Sequence, residues 1–560
     1  MMLNFFKNRC GELTITAVSS FLTLLFFTPV TDDYGSLGCN LAAGQFSDYP
    51  YLYEFYLMLV GMGGMYRWLY HILPDYNWMG ISFLAFNLLS LYLSLRLIKN
   101  LILKDSKNAY LLRIIQVLFS LFFIENIASI THTRASILFC GIGLFNIAFT
   151  DGISRKGILI NAAIFALGML IRPESSLGML LLVSTGYLIY RFDIKHVAKR
   201  FLLPFVASAA LFSYFTMDWL HTDIYAKKVE PEIEYKIMDR RIVDLSSMKT
   251  AEDSVKYQAV MAGMWFDLKT ITPDFIRSLL LPGINLSAAH AASVFFHSLS
   301  YYKHYVFIAC LVIALIFLSF FQTNSLRGIF RIVLFQISTF LIIYLVDFNG
   351  RLITERHFLN IQFISLLITS FYFFNPTVPF DFWKGHKILL LSCFLFVLFG
   401  TGATIVNYKQ HNDSVAHSVN CYESAMQEIE DSYAGRIIVV TLSNAYLLDH
   451  NFSIKNKNYT KNTYLLFDAF TFSLLPNYMN YLSSQCQCNP ADPVAFLNWS
   501  VGKNALYLAE AARYNLIEKY MRLIHHQKIK FISIGSLEKP DCIQSTEMKD
   551  YELRNIVVGD

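Results

Sequence analysis

The sequence predicts a mainly α-helical polytopic membrane protein with about eleven transmembrane helices, interfacial helices in the first outer loop, and a small C-terminal extracytoplasmic α/β domain. Three observations predict it. Only 16% of the 560 residues are charged while 55% are hydrophobic, and mean hydropathy is +0.42; soluble chains carry about a quarter charged residues. The apolar residues fall in blocks of roughly 17 to 22 without interior charge, long enough to cross about 30 Å of hydrocarbon as helices. Lysine and arginine, finally, segregate to alternate connections between the blocks.

The first block, 12–30, is followed by acidic and aromatic sequence with no A-x-A-like cleavage signal, so it reads as a retained span. The others lie at 79–97, 113–130, 135–150, 157–172, 176–190, 201–218, 302–321, 330–347, 358–374 and 388–406. With the N-terminus inside, Lys7, Arg9, Lys99, Lys104, Lys107, Arg113, Arg155, Lys156, Arg191, Lys195, Lys199, Arg200, Arg327, Arg331, Lys384 and Lys387 all face the cytoplasm. The net charge of +5 is therefore topological, and no nucleic-acid patch is visible. The basic residues that topology does not demand are Arg67, Arg134, Arg172, Arg351 and Arg356, in short outer loops.

Between the first two blocks, within 31–78, YLYEFYLMLVGMGGMYRWLYHIL mixes Tyr, Trp and Phe with apolar residues, the pattern of helices lying in the interface. The outer loop 219–300 begins polar and ends with LPGINLSAAHAASVFFHSL, a re-entrant or interfacial helix. Counting it as an additional span would place Arg327, Arg331, Lys384 and Lys387 outside, against the charge rule. Residues 1–406 thus form the membrane domain and 407–560 a soluble unit. In the latter GRIIVVTL and IKFISIG read as buried strands, and AFLNWSVGKNALYLAEAARYNLIEKYMRLIHHQ as helix. Cys39, Cys421, Cys486, Cys488 and Cys542 lie outside, where disulfides form; Cys486 and Cys488 are too close to favour each other, which points one of them to Cys421 or Cys542.

Four segments carry charge at outer span ends: TDDYG at 31–35, THTRAS at 131–136, IRPESS at 171–176 and VDFNGRLITERHF at 346–358. Charge at that depth is costly unless it pairs or meets a charged ligand. Asp32 and Asp33 form either a solvated turn or a functional pair, as a general base or as hard oxygen ligands for Mg²⁺ or Mn²⁺. Arg172 and Glu174 flank Pro173, which ends a helix. Arg351, Glu355 and Arg356 follow Asp347 at helical spacing, so Arg351 can pair with Asp347 or Glu355. An arginine left over from such pairs suits a phosphate, which its guanidinium grips as a fork. His132 beside Arg134, and His357 beside Arg356, are bases, ligands or caps. Glu125, in FFIENIAS, sits within a turn or two of its outer span end and joins this set. There is no Walker loop, nucleophile elbow, H-E-x-x-H or dinucleotide fingerprint. Apart from Glu125 the spans are almost free of charge, which disfavours a transporter.

In these features the chain resembles the GT-C superfamily, polytopic glycosyltransferases that use lipid-phosphate-linked sugars. The resemblance rests on a first span followed at once by Asp32 and Asp33 in a large outer loop, on RPE at 172–174, and on the arginine-rich GRLITERHF before a late span. It implies a polyprenyl-phosphate sugar donor entering from membrane lipid and a glycan or lipid acceptor at the outer face. Asp32 or Asp33 would be the base or would hold a divalent cation, Mg²⁺ or Mn²⁺. Arg134, Arg172, Arg351 and Arg356 would hold the donor phosphate, supported by Glu174, Glu355, His132 and His357. No W-W-D-type motif is present, and the tail does not look like the sequon-reading domain of oligosaccharyltransferases, which favours transfer of a single sugar. A polymerase or ligase acting on lipid-linked glycans would use the arginines without the acidic pair, and a glycolipid transporter would do no chemistry. Short loops and compact length favour a bacterial inner membrane.

Overall fold

The computed structural model describes residues 11–31, 60–102, 109–150, 153–221, 248–262, 267, 269–279, 296, 299–319, 325–348, 355–374, 387–441, 461–466, 476–490, 492–536 and 551–558. Every apolar block of the sequence falls on helix, although the block 113–130 is broken in two. In order these are α1 (Gly11–Phe26), α2 (Val60–Ile72), α3 (Trp78–Leu97), α4 (Ala109–Ser120), α5 (Phe123–Ala128), α6 (His132–Phe149), α7 (Arg155–Ile171), α8 (Pro173–Arg191) and α9 (Ile194–His221). After α10 (Ala251–Met261) and α11 (Pro273–Ser278) come α12 (Val306–Ser319), α13 (Ser325–Phe348), α14 (Glu355–Phe374) and α15 (Lys387–Ser432). Among the described residues four helical stretches are both long and apolar enough to cross a membrane: Trp78–Asn100, His132–Phe149, Leu326–Leu345 and Leu391–Ser432.

The polarity of α1 shows which solvent surrounds the bundle. It buries Glu12, Thr16, Ser20 and Thr23 and exposes Leu13, Phe21, Leu25 and Phe26. That is the reverse of a soluble amphipathic helix and what a helix facing lipid requires. Exposed Leu202 and Phe205 on α9, and Ile388, Leu395 and Phe399 on α15, repeat the pattern. The protein is an integral membrane protein.

Helix α6 is the centre of the bundle, with every residue except Asn146 buried. It packs against α3, α7, α8 and α14. Close approach to α7 depends on glycine: a Cβ at Gly168 would stand 2.9 Å from the Cys140 backbone nitrogen, and one at Gly143 would stand 2.8 Å from the Asn161 carbonyl oxygen. Small residues at such a crossing let two backbones meet and gain packing where lipid supplies no hydrophobic drive. As its proline predicts, the chain breaks between α7 and α8, with Pro173 in the first turn of α8.

Helix α15 has 46 residues and is about 69 Å long at 1.5 Å per residue, so it runs through the bundle and on into the C-terminal unit. The sequence boundary at 406/407 lies inside it. Beyond it stand β3 (Ile437–Val440), β4 (Thr463–Leu466), α16 (Pro476–Cys486), α17 (Pro493–Gly502), β5 (Leu506–Glu510), α18 (Ala511–Ile524), β6 (Ile529–Ser536) and β7 (Tyr551–Val558). The five strands form one mixed sheet in the order β4-β3-β5-β7-β6, with β3 parallel to β4 and β5, and β7 antiparallel to β5 and β6. Residues of the 219–300 loop complete its core: Val255, Ala259, Val260, Ile271 and Leu279 pack with Met426 and Ile429 of α15.

Two expectations are corrected here. The stretch 495–527 is two helices with β5 between them. Asn504, at φ 50°, takes the left-handed conformation after α17, and Leu506, Tyr507, Leu508 and Ala509 are buried between β3 and β7. Burial within the sheet overrides the helix propensity of Ala, Leu and Glu. Cys486 and Cys488 bond to each other, because Gln487 at φ 50° turns the chain and brings their Cα atoms to 5.1 Å; Cys421 is disulfide-bonded as well.

Candidate functional site

Where α1 ends, Val30–Thr31 (β1) pairs in parallel with Ser129–Ile130 (β2), the residues that lead into THTRAS. The pairing sets Thr31, which directly precedes Asp32, beside Ile130. Asp32, Asp33 and Arg351 themselves lie outside the described residues. Of the remaining sequence-predicted residues, Glu174 sits in the first turn of α8, and the other six meet in one cluster.

Thr131 caps α6 by accepting from the Arg134 backbone nitrogen at 3.2 Å. The Arg134 guanidinium forms a buried ion pair with Glu125, and it donates to Asn126 Oδ1 at 3.4 Å. Tyr305 donates to the other Glu125 oxygen at 2.6 Å. Behind this pair Arg172 donates to the Thr133 hydroxyl, which also meets His132 Nε2 at 3.1 Å. From α14, His357 interacts electrostatically with Arg172, Arg356, His132 and Arg134, and Glu355 with Glu125, His304 and Arg134. Four segments far apart in sequence thus converge. The helical spacing of Asp347, Arg351 and Glu355 runs through residues 349–354, which lie outside the described residues; α14 is described from Glu355.

In front of the cluster opens a cavity of about 780 Å³. One wall is ionic: Glu125, Arg134, Lys303, His304, Glu355 and Arg356, with Tyr305. The other is a single face of α15 made of Asn407, Tyr408, Gln410, His411, Asn412 and Val415, and Val30 closes the side nearest β1. Asn412 clamps the segment between α1 and β1, donating to the Thr28 carbonyl at 2.9 Å and accepting from its N–H at 3.0 Å. Phe27 packs on Tyr408 with ring centroids 5.5 Å apart.

Three cationic side chains, Arg134, Arg356 and Lys303, line this cavity against two carboxylates, Glu125 and Glu355, among the described residues. Such an excess beside low-dielectric helices favours an anion, and planar guanidinium groups suit phosphate or carboxylate. No three His, Cys, Asp or Glu side chains converge as a metal site among the described residues. Sequence reasoning missed Tyr305, Lys303, His304 and the α15 wall. The one signal for that wall was NYKQHND, a polar run with no helix breaker directly after the last apolar block.

The backbone matches a crystal structure of ArnT from Cupriavidus metallidurans in the apo state, with TM-score 0.50, 9% sequence identity and 97% of each chain covered. ArnT belongs to the GT-C superfamily. The chain shares the fold of that ArnT structure. No protein-family model matches the sequence, and no curated protein matches it. The likeness is thus one of backbone architecture, carried over nearly the whole length of both chains.

Proposed function

We propose that this protein is a membrane glycosyltransferase that moves a sugar from a polyprenyl-phosphate donor to a glycan or lipid acceptor at the outer face of a bacterial inner membrane. The observation that carries the reading is the cavity at the end of the helix bundle, where Arg134, Arg356 and Lys303 gather beside the strand that leads to Asp32. The fold shared with ArnT supports it.

In this reaction the acceptor hydroxyl oxygen bonds to the anomeric carbon as the bond from that carbon to the phosphate oxygen breaks. The bonding pair leaves on the polyprenyl phosphate, and the acceptor proton passes to a carboxylate. Asp32 or Asp33 is that carboxylate, or the pair holds Mg²⁺ or Mn²⁺, which would neutralise charge on the phosphate. Arg134, Arg172, Arg351 and Arg356 stabilise the charge that develops on the leaving group. Glu125 is committed to Arg134 and Tyr305, so the proton chemistry is assigned to the aspartates and not to this glutamate.

The test is Asp32→Asn, Asp33→Asn and Arg356→Gln, each matched for expression, with release of polyprenyl phosphate from a panel of polyprenyl-phosphate monosaccharides as readout. Loss of a general base lowers the rate by about 10²- to 10⁴-fold, and Arg356→Gln is expected to cost about 10²- to 10³-fold, as for other donors to a developing oxyanion. Full activity in both aspartate variants would sink the assignment of the pair. Loss in Arg356→Gln alone would favour a polymerase or ligase of lipid-linked glycans. Inactivation by EDTA with recovery in Mg²⁺ or Mn²⁺ would assign the pair to a metal; indifference to EDTA would assign it to proton transfer.

A further inference from the structure

The two walls of the cavity differ in chemistry. The ionic wall opposes a face of α15 whose polar groups are two carboxamides and an imidazole that have no ionic partner. Asn407, Gln410 and His411 are exposed toward the cavity and take part in no hydrogen bond or ion pair among the described residues. Their neighbours on the same helix are all engaged. Tyr408 packs on Phe27, Lys409 pairs with Asp413, and Asn412 holds both backbone groups of Thr28. These contacts fix the rotation of α15, so the three uncommitted side chains present one continuous polar strip to the cavity that Arg134 and Arg356 also line.

We propose that this strip is a saccharide-binding surface: Asn407, Gln410 and His411 hydrogen-bond the hydroxyls of a neutral, polyhydroxylated group while the ionic wall holds an anion. The inference rests on the reading of the cavity as a glycosyl-transfer site and assigns the part of it that receives the uncharged portion of the ligand. A hydroxyl both donates and accepts, and a carboxamide is the side chain that offers both roles without charge. A cavity of about 780 Å³ has room for sugar rings beyond a phosphate group. A second anion on this wall would have no cation to meet, since the lining residues that α15 contributes include no lysine or arginine.

The hydroxyls belong either to the sugar of the donor or to a glycan acceptor, and binding measurements separate the two. The full-length protein in lipid nanodiscs is titrated with polyprenyl phosphate, with a panel of polyprenyl-phosphate monosaccharides, and with a panel of neutral oligosaccharides. Asn407→Ala, Gln410→Ala and His411→Ala are each expected to weaken a sugar-bearing probe by about two- to tenfold, the worth of one hydrogen bond. The triple variant should weaken it further and bind plain polyprenyl phosphate as the parent does. A loss confined to the sugar lipids assigns the strip to the donor, and a loss confined to the oligosaccharides assigns it to the acceptor. Unchanged binding of every sugar-bearing probe by the triple variant overturns the proposal. So does a parent protein that gains nothing from a sugar on the lipid and binds no oligosaccharide. If the parent ignores polyprenyl phosphate but binds an oligosaccharide that the triple variant loses, the phosphate reading falls and the saccharide strip stands.

Discussion

Arg134 shows what keeps a charge at the end of a membrane helix. It is 3% exposed, paired with a Glu125 that is 7% exposed, and that glutamate has Tyr305 as its second partner. Removing one ion of a buried pair strands the other, at about 3–5 kcal/mol, whereas replacing both with apolar residues is often neutral. Arg134→Met is therefore expected to lower the melting temperature of the detergent-solubilised protein sharply. Arg134→Met with Glu125→Leu should recover most of that loss while remaining inactive, because the guanidinium proposed to hold the donor phosphate is gone. Melting both variants and assaying the double one separates structure from function; an active double variant would exclude Arg134 from the site. Charge is also what made these residues readable in the sequence. His132, Arg134, Arg172, Glu355, Arg356 and His357 stood out because ionisable groups near hydrocarbon demand a reason. Thr133 and Tyr305, which hold Arg172 and Glu125 in place, gave no such signal, since neutral hydroxyls are ordinary at span ends.

Among the elements, α15 does more than its sequence suggested. Its apolar first half faces lipid, its middle forms one wall of the cavity, and its last turns carry Met426 and Ile429 into the core of the C-terminal domain. Asn412 is the joint, because it satisfies the donor and the acceptor of Thr28 just ahead of β1. Asn412→Ala would leave both backbone groups without that partner, at about 1–3 kcal/mol for a buried group. Amide exchange at residues 27–31 is expected to speed up, and activity to fall by more than the small drop in melting temperature explains, since β1 directly precedes Asp32, the carboxylate proposed above as base or metal ligand. Unchanged exchange at Thr28 would show that the clamp contributes nothing. The apolar half of α15 was legible as a span and β3 and β6 as strands, each from a local apolar run. The continuation through NYKQHND and the strand β5 were not, because a polar helix and a helix-like LYLAE segment are decided by what they pack against, and those partners lie far away in sequence.

On the scale of the whole molecule, residues of the 219–300 loop reach the C-terminal domain through one fully buried carboxylate. Asp267 accepts from Tyr520 at 2.9 Å and from Thr270 at 2.6 Å, meets His525 Nε2 at 2.7 Å, and is not exposed to solvent. No local pattern could announce a contact between residues 258 apart in sequence. Burial pushes against the charged form, but the hydrogen bonds from His525, Thr270 and Tyr520 outweigh it and hold the Asp267 carboxyl below the usual carboxylate range. A carboxyl whose folded value is depressed binds its proton more readily in the unfolded chain, so its contribution is complete above the unfolded value of about 4 and disappears as pH falls through the folded one. The attachment of this loop should accordingly hold through neutral pH and weaken only in strong acid. Asp267→Asn introduces an amide donor among groups that donate to the carboxylate, and is expected to destabilise the domain by about 1–3 kcal/mol at neutral pH. The acid-dependent part of unfolding that belongs to Asp267 should vanish with it. Thermal melts of parent and variant between neutral pH and strong acid measure both effects: converging curves at low pH assign the difference to this carboxylate, and parallel curves would assign it to packing alone.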